Sequence, residues 1–298
     1  MRYFSLFLAI VSSLNAFANP PKDAEKQILD ALPDKAPAAA KAKRTVLVFS
    51  KTNGFRHASI PTGHLALKLM GEKTAAFEVV SSEDLSMFDK QNLAKFDAVC
   101  FLSTTGEVFY PRGKKPSPEE KKIAAQRQQN LFDFIQGGKG FIGIHAATDT
   151  CYECAEYGSM INGYFDGHPW GAGTDVSIKV EPGQQEHPIV AALKGKNLEF
   201  KEEIYQLKAP YSSDRAHMLL RLDTEKSNMN VKGIKRTDGD FGVAWIRPYG
   251  AGRVFYSSLG HNHHIYWNSK VLAHYLAGIQ WALGDLDAPV VIPENERK

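Results

Sequence analysis

Three short, almost wholly apolar segments constrain the fold of this chain more than any other feature of its sequence. They lie at residues 45–50, 98–102 and 140–145, and many of their side chains are β-branched or aromatic. A strand that is apolar on both faces is typical of a parallel sheet covered by helices on both sides. The segments therefore predict a mostly parallel sheet between two layers of helices.

Helical segments alternate with these strands and indicate the class of fold. The pattern predicts a helix after Pro61 and another that begins with a capping box at residues 117–120, with proline at the first helical position. A further strand is predicted at residues 77–80. The resulting β-α-β-β-α-β order is typical of a doubly wound α/β sheet, whose ligands bind at the carboxyl ends of the strands. The loops after the first, third and fourth strands should therefore lie side by side.

The second half of the chain is less regular, but its sequence shows no repeat and no second domain boundary. We predict four strands there, some of them antiparallel, and a final helix that ends at Gly284. They lie at residues 176–180, 218–222, 243–246, 253–257 and 270–283. We therefore assign residues 44–290 to one α/β domain, a size that is ordinary for such folds.

The N-terminal segment has the pattern of a secretory signal peptide. Arg2 precedes the apolar run of residues 4–14, and Ala16 and Ala18 form the small-x-small pattern at which such peptides are cleaved. The run is shorter than the roughly 20 apolar residues that span a bilayer. We therefore predict removal of residues 1–18 and a periplasmic or secreted protein without a membrane span.

Residues 19–43 are rich in proline, alanine and lysine, and they are predicted to be a linker. The alternative there is a short amphipathic helix at residues 26–32, which has too little apolar surface to fold alone. The whole chain has 36 basic and 33 acidic residues, and part of this small excess lies in the signal peptide and the linker. The folded domain is thus nearly neutral and lacks the basic surface that nucleic-acid binding requires. The expected partner is a small-molecule carbohydrate. The sequence does not determine the oligomeric state, and a homo-oligomer is one alternative.

Several of the ten histidines follow predicted strands or lie in similar polar turns. Histidine is the commonest protein ligand of metal ions and a natural general acid or base near neutral pH. Histidines at the ends of different strands can converge on one point, although a single loop histidine is more often a hydrogen-bonded surface residue. The candidates are His57, His145, His168 and His261.

Acidic and aromatic residues accompany these histidines. Asp149 follows the fourth strand, and Glu202 and Glu203 form an acidic pair that is either a source of a base or metal ligand, or a solvated pair on a strand. Trp170 and Trp245 have aromatic faces suited to stacking on sugar rings, although most tryptophans simply pack.

Two of the three cysteines, Cys151 and Cys154, form a C-x-x-C pair after the fourth strand. A local disulfide is one interpretation for an exported protein. Thiol–disulfide chemistry is another, and it requires an exposed Cys151 with a lowered pKa. Cys100 lies in an apolar strand and is predicted to be a buried, small hydrophobic residue.

Seven short segments form a series that extends over nearly all of the predicted domain. They are GFRH at 54–57, GFIGIHAATDT at 140–150, YFDGHP at 164–169, EHPI at 186–189, EEIY at 202–205, VAW at 243–245 and GRVFYSSLGH at 252–261. Together they resemble the ThuA-like, or trehalose-utilisation, family. The resemblance implies a fold similar to class I glutamine amidotransferases, a flavodoxin-like three-layer α/β sandwich. Those enzymes have a nucleophilic cysteine on the turn where this chain has His145, so glutamine hydrolysis by that route is not expected.

Members of that family are associated with the breakdown of trehalose and related disaccharides, including sugars oxidised at C3. The leading hypothesis is therefore a secreted enzyme of carbohydrate catabolism that acts on a disaccharide, another glycoside or a keto-sugar by hydrolysis, elimination or isomerisation. A zinc-like divalent ion would polarise a carbonyl group or a water molecule. The alternative is a sugar-binding module of the same fold, which has no turnover and does not need converging imidazoles.

The hypothesis assigns each role to named residues. The metal ligands would be His57, His145, His168 and His261. The catalytic residues would be His145, Asp149 and Glu203. The substrate-binding residues would be Arg56, Trp170, Trp245 and His263.

Overall fold

The computed structural model describes residues 19–292, so the predicted signal peptide lies outside the described residues. The strands are β1 Thr45–Phe49, β2 Glu78–Ser82, β3 Ala98–Leu102, β4 Gly140–Ile144, β5 Tyr164–Phe165, β6 Asp175–Val180, β7 Leu198–Lys201, β8 Leu207–Lys208, β9 His217–Leu222, β10 Gly242–Tyr249 and β11 Gly252–Ser257. The helices are α1 Ala24–Ala31, α2 Ile60–Thr74, α3 Lys90–Leu93, α4 Pro118–Gln136, α5 Ala155–Ile161 and α6 Ser269–Ala282. Within residues 19–292, no helix has the length and apolar character needed to cross a bilayer.

A nine-stranded sheet organises the domain in the order β2-β1-β3-β4-β11-β10-β9-β6-β7. The five strands from β2 to β11 are parallel, and each later strand pairs antiparallel with its neighbour. Strands β5 and β8 form a separate antiparallel pair. The predicted α/β class with a mostly parallel central sheet is confirmed.

Successive residues of the central strands face two different apolar clusters. In β1, Val48 belongs to a cluster that also contains Leu67 of α2 and Leu272 of α6. Its neighbour Leu47 belongs to a second cluster, which contains Leu131 of α4. Both faces of the strand are therefore covered, and this explains why the strand sequences are continuous apolar runs rather than alternating ones.

The start of α4 matches its sequence pattern. The Ser117 side chain accepts a hydrogen bond from the backbone N–H of Glu120, and the Glu120 carboxylate accepts one from the backbone N–H of Ser117. This reciprocal pair satisfies two N–H groups that a helix leaves free at its first turn. The predicted capping box is confirmed.

Residues 19–43 are not a free linker, and that prediction is wrong. Helix α1 lies against α2, and Ile28 and Leu32 are buried in the apolar cluster that α2 and α6 share. Further along, the backbone of Ala38 exchanges two hydrogen bonds with the side chain of Gln280 in α6. The proline-rich composition is compatible with a linker, but the apolar face of α1 completes the domain surface by docking on it.

The loops at the carboxyl ends of the parallel strands lie side by side, as predicted. Thr52 after β1 forms a bridge with Thr105 after β3, and Gly106 forms one with Thr150 after β4. The same sheet edge receives the loop after β11, because β11 is parallel to β4. Four loops of the chain thus meet at one edge.

Candidate metal centre

Four side chains converge at this edge, with one ligand atom of each lying within 4.8 Å of the others: His57, His145, Glu203 and His261. His57 follows β1, His145 follows β4 and His261 follows β11, so parallel strands present all three imidazoles at one edge. Glu203 comes from the segment after β7. Donor atoms this close together could hold one metal ion.

His145 lies on a sharp turn and has a fixed pattern of hydrogen bonds. Its φ of 53° is in the left-handed region, which is uncommon for a residue other than glycine. Its Nδ1 is 2.8 Å from the carbonyl oxygen of Ser258, and a carbonyl can only accept, so Nδ1 bears the hydrogen. Burial holds the pKa of His145 well below its ordinary value. The ring is therefore neutral, and its Nε2 is unprotonated and can accept, as in histidines that bind metals.

Glu203 lies at the centre of the cluster. Its Oε1 is 3.7 Å from Nε2 of His145 and 3.2 Å from Nδ1 of His261. Because Nε2 of His145 has no hydrogen, neither this nitrogen nor the carboxylate can donate a hydrogen bond to the other. Two acceptors at this separation are stabilised by a positive charge between them. This arrangement fits a bound cation.

One further imidazole nitrogen supports this fit. Nδ1 of His57 is buried and makes no hydrogen bond within residues 19–292. Burial, followed by the charge of His261, lowers the pKa of His57 to about 4. Buried polar nitrogens normally have partners, and unpaired ones mark places where an ion or a water molecule binds. Three imidazoles and a carboxylate are also ligand types that zinc prefers.

Charge is shared between Glu203 and His261. Burial opposes ionisation of Glu203, but contact with His261 and the charge of His168 lower its pKa. Burial likewise opposes protonation of His261, but Glu203 raises its pKa. The carboxylate is therefore ionised at neutral pH. An incoming cation would compete with the proton of His261 for the same donors.

Glu202, the neighbour of Glu203, supports the loop of His261 instead of joining the cluster. Its carboxylate is buried and accepts backbone N–H groups from Gly260 at 2.9 Å, His261 at 2.6 Å and Asn262 at 3.1 Å. Burial raises the pKa of Glu202 to about 7 even though these three donors favour the charged form. The two adjacent acidic residues thus have different roles.

His168 and Asp149 lie beside the cluster. His168 is half-exposed, and its Nδ1 is 3.4 Å from the other carboxylate oxygen of Glu203. It is therefore at the rim and is not one of the four clustered donors. Asp149 accepts a hydrogen bond from Tyr152, and burial raises its pKa, with a further contribution from the charge of Glu203.

The predicted sugar-stacking role of two tryptophans is wrong. Trp170 and Trp245 have no exposed surface. The indole N–H of Trp170 donates to the carbonyl of Asn228, and that of Trp245 donates to the carbonyl of Ile161. An indole buries more apolar area in a core than almost any other side chain, and that is where both are used.

Two other predicted substrate residues have partners away from the four donors. Arg56 forms an ion pair of 2.8 Å with Glu83. His263 makes a hydrogen bond with Thr62 and stacks on Trp267. The sequence pattern placed both residues close to candidate metal ligands, but neighbouring residues in these loops point in different directions.

Aromatic residues that the sequence prediction did not select surround the centre. Phe55 is 64% exposed, and its ring packs edge-on against His57 at 4.8 Å between centroids. Phe165 stacks on His168 and contacts Tyr205, whose ring lies against His145. The only signal in the sequence was their position next to the histidine motifs.

The cysteines are free thiols in the structure. Cys151 is buried and Cys154 is partly buried, and burial raises the pKa of both. The redox hypothesis required an exposed Cys151 with a lowered pKa, so the structure contradicts it. Cys100 is buried in β3, as predicted.

Comparisons with known proteins place the chain among others of this fold. A family described as ThuA, trehalose utilisation, matches residues 45–282. A ThuA-like protein from Bacteroides uniformis has 17% identity and a TM-score of 0.60, over 82% of this chain and 93% of that one. A ThuA-like protein from Parabacteroides merdae has 17% identity and a TM-score of 0.55, over 85% and 94%. At this identity the two structures show the fold alone. A comparison with curated proteins gave no match.

Proposed function

Because the chain belongs to the ThuA, or trehalose-utilisation, family, we propose that it is an exported, metal-assisted enzyme of carbohydrate catabolism. Its substrate would be a disaccharide, another glycoside or a keto-sugar. The observation that carries the proposal is the approach of the Glu203 carboxylate to the unprotonated Nε2 of His145. A sugar-binding module of the same fold needs no such arrangement, so the convergence favours the enzyme.

The ion would be held by the four clustered donors, His57, His145, Glu203 and His261. A divalent cation at such a centre supplies Lewis acidity toward a carbonyl group or a water molecule. The lowered pKa values of His57 and His145 keep their rings neutral, so they can bind through lone pairs. The negative charge of Glu203 partly offsets the charge of the ion.

Asp149 is the proposed group for proton transfer. Since Glu203 lies among the clustered donors, it is less suited than Asp149 to the general-base role that the sequence suggested for both. The raised pKa of Asp149 brings this carboxyl closer to the pH at which it can both accept and release a proton. In a keto-sugar the carbonyl acidifies the neighbouring C–H, so Asp149 would remove that proton while charge develops on the carbonyl oxygen.

The rim offers surfaces for the sugar. Phe55 is exposed beside His57, and Phe165 lies against the half-exposed His168. Ligand sites commonly combine aromatic faces with a few polar groups that fix orientation. We assign to Phe55 the stacking role that the sequence suggested for the tryptophans, and to His168 a polar contact with a substrate hydroxyl.

The first experiment measures metal content of the purified mature protein and of three variants. We expect about one divalent ion per wild-type chain, and loss of that ion in His145→Ala and Glu203→Ala, since both donors belong to one site. His263→Ala is the matched control and should keep the ion, because His263 is bonded to Thr62 outside the cluster.

The second step screens glycosides and 3-keto-glycosides with metal-loaded and metal-free protein. Turnover that requires the ion would support the enzyme. A wild-type protein that takes up no divalent ion on titration contradicts the metal-assisted mechanism. Sugar binding without turnover would then make the binding module the better description.

A further inference from the structure

The hydroxyl of Tyr205 lies 3.2 Å from Nε2 of His145, the same nitrogen that faces Glu203. The hydrogen bond of the other ring nitrogen, Nδ1, determines which atom is the donor here. Nδ1 of His145 donates to Ser258, so Nε2 is the acceptor and Tyr205 is the donor. Within residues 19–292, Nε2 is the single hydrogen-bond partner of this hydroxyl.

The Tyr205 side chain is fixed in place. The residue is 3% exposed, and its ring packs on His145 at 4.8 Å and on Phe165 at 4.5 Å between centroids. A tyrosine hydroxyl is a neutral donor at neutral pH. This one is held beside the nitrogen that faces the Glu203 carboxylate.

A cation on Nε2 of His145 would use the lone pair that Tyr205 now occupies. The hydroxyl would lose its acceptor while its ring stays packed beside the centre. A buried donor without an acceptor is unfavourable, and a substrate oxygen at the centre would satisfy it. We propose that Tyr205 is a substrate-binding residue that donates a hydrogen bond to the substrate oxygen at this centre.

This inference rests on the proposed function, and it narrows the ligand chemistry. A fixed neutral donor favours an oxygen that carries or develops negative charge, such as a carboxylate or the carbonyl oxygen of a keto-sugar during removal of its neighbouring proton. Donors of this kind gain strength where water is excluded. If the hydroxyl of Tyr205 only oriented the ring of His145, the site would have no preference for an oxygen with negative charge.

The test compares wild-type protein, Tyr205→Phe and a matched control, Tyr157→Phe. Tyr157 is also buried, and its hydroxyl donates to the backbone carbonyl of Ala147 at 2.7 Å. Each protein is titrated with Co(II), and the Co(II)-loaded protein is then titrated with acetate, both followed by visible absorption. Acetate stands in for the anionic substrate oxygen.

We expect Tyr205→Phe to bind Co(II) at least as tightly as wild type, because no hydroxyl competes for Nε2. Its acetate affinity should fall about tenfold or more, the size expected for a lost hydrogen bond to a charged acceptor. Tyr157→Phe should match wild type in both titrations. A lower affinity for acetate without a lower affinity for Co(II) distinguishes a contact with the ligand from a structural role.

Other results overturn the inference. Weaker Co(II) binding with unchanged acetate affinity would show that Tyr205 only orients His145, and no change in either would show no contact. Wild-type protein that binds no Co(II) overturns the proposed function and this inference with it, so the two failures are distinguishable. If Tyr205→Phe does not fold, wild-type protein containing 3-fluorotyrosine, whose hydroxyl is a stronger donor, replaces it. This protein must bind acetate more tightly than unlabelled protein, and an unchanged affinity would contradict the role of Tyr205.

Discussion

The carboxylate of Glu202 holds the backbone of His261, with 2.6 Å between its Oε1 and the His261 nitrogen. The same carboxylate also accepts the N–H groups of Gly260 and Asn262. One buried acidic side chain therefore sets the course of the loop that brings His261 to the cluster. The adjacent Glu203 lies among the imidazoles, so two consecutive residues position the site and complete it.

Glu202→Gln should weaken divalent-ion binding about tenfold to a hundredfold, the usual effect of losing a group that positions a ligand. The amide NH2 would face backbone N–H groups, so the loop of His261 would shift. Isothermal titration with Zn(II) measures this change. Glu199→Gln, an exposed substitution in β7, is the control and should leave the affinity unchanged. Equal affinities for all three proteins would contradict the role of Glu202.

Gly260→Ala tests how closely this loop approaches His145. A Cβ at Gly260 would lie 3.0 Å from Cβ of His145 and 2.8 Å from the hydroxyl of Tyr266, at a φ of 138° that other residues rarely adopt. We expect a loss of about 1–3 kcal/mol in the free energy of unfolding, together with weaker ion binding. Urea unfolding and Zn(II) titration measure the two effects. Gly171→Ala meets open space and should change neither.

Much of this fold could be predicted because its signals are local. The strand from 140 to 144 reads as a continuous apolar run, and both of its faces are covered. The capping box at Ser117 specifies a helix start from four consecutive residues. Parallel strands deliver their following loops to one edge, so three of the four predicted histidine ligands meet there.

The remaining errors concern the direction of side chains and docking between distant segments. Trp170 and His168 are two residues apart, yet one is buried and the other is half-exposed at the rim. Sequence spacing does not determine this difference in an irregular loop. Glu203 follows β7, so its position in the cluster depends on how β7 joins the edge of the sheet. The sequence pattern did not predict β7.

Phe55→Ala should weaken binding of the sugar substrate without changing binding of the ion. Phe55 is exposed, and its ring lies nearly perpendicular to that of His57, so its loss removes a stacking surface rather than a donor. We expect a KM increase of about fivefold to thirtyfold, as for a lost apolar contact of about 1–2 kcal/mol. Ile123→Ala, another exposed apolar residue, lies on α4 and is the control. An unchanged KM would remove Phe55 from the substrate site.

His274 predicts a specific pH dependence of stability in the metal-free protein. It is fully buried, its Nδ1 bonds the carbonyl of Ile189, and Phe255, Tyr275 and His187 lie near it. Burial lowers its pKa from 6.5 to about 4. Between pH 6.5 and pH 4 the unfolded chain therefore binds more protons than the folded protein does. The stability that neutral His274 contributes is complete above pH 6.5 and is lost as the pH falls toward 4.

The loss from His274 should be about 2 kcal/mol at about pH 5. Urea unfolding of wild type and His274→Gln at about pH 5 and about pH 7.5, with chelator present, measures it. The difference in unfolding free energy between the two pH values should be smaller in the variant by that amount. Parallel pH profiles for the two proteins would show that His274 is not the group responsible.

Ile28→Ala tests whether the segment before the predicted domain belongs to the fold. Ile28 has no exposed surface and packs in the cluster shared by α2 and α6, whereas its neighbour Leu29 is 37% exposed. Truncating a buried isoleucine costs about 2–5 kcal/mol, because the transfer free energy is lost and a cavity remains. Leu29→Ala is the matched control on the same helix and should cost less than about 1 kcal/mol. A flexible linker would make both substitutions neutral in urea unfolding, so equal small effects would restore the linker interpretation that the docked position of α1 contradicts.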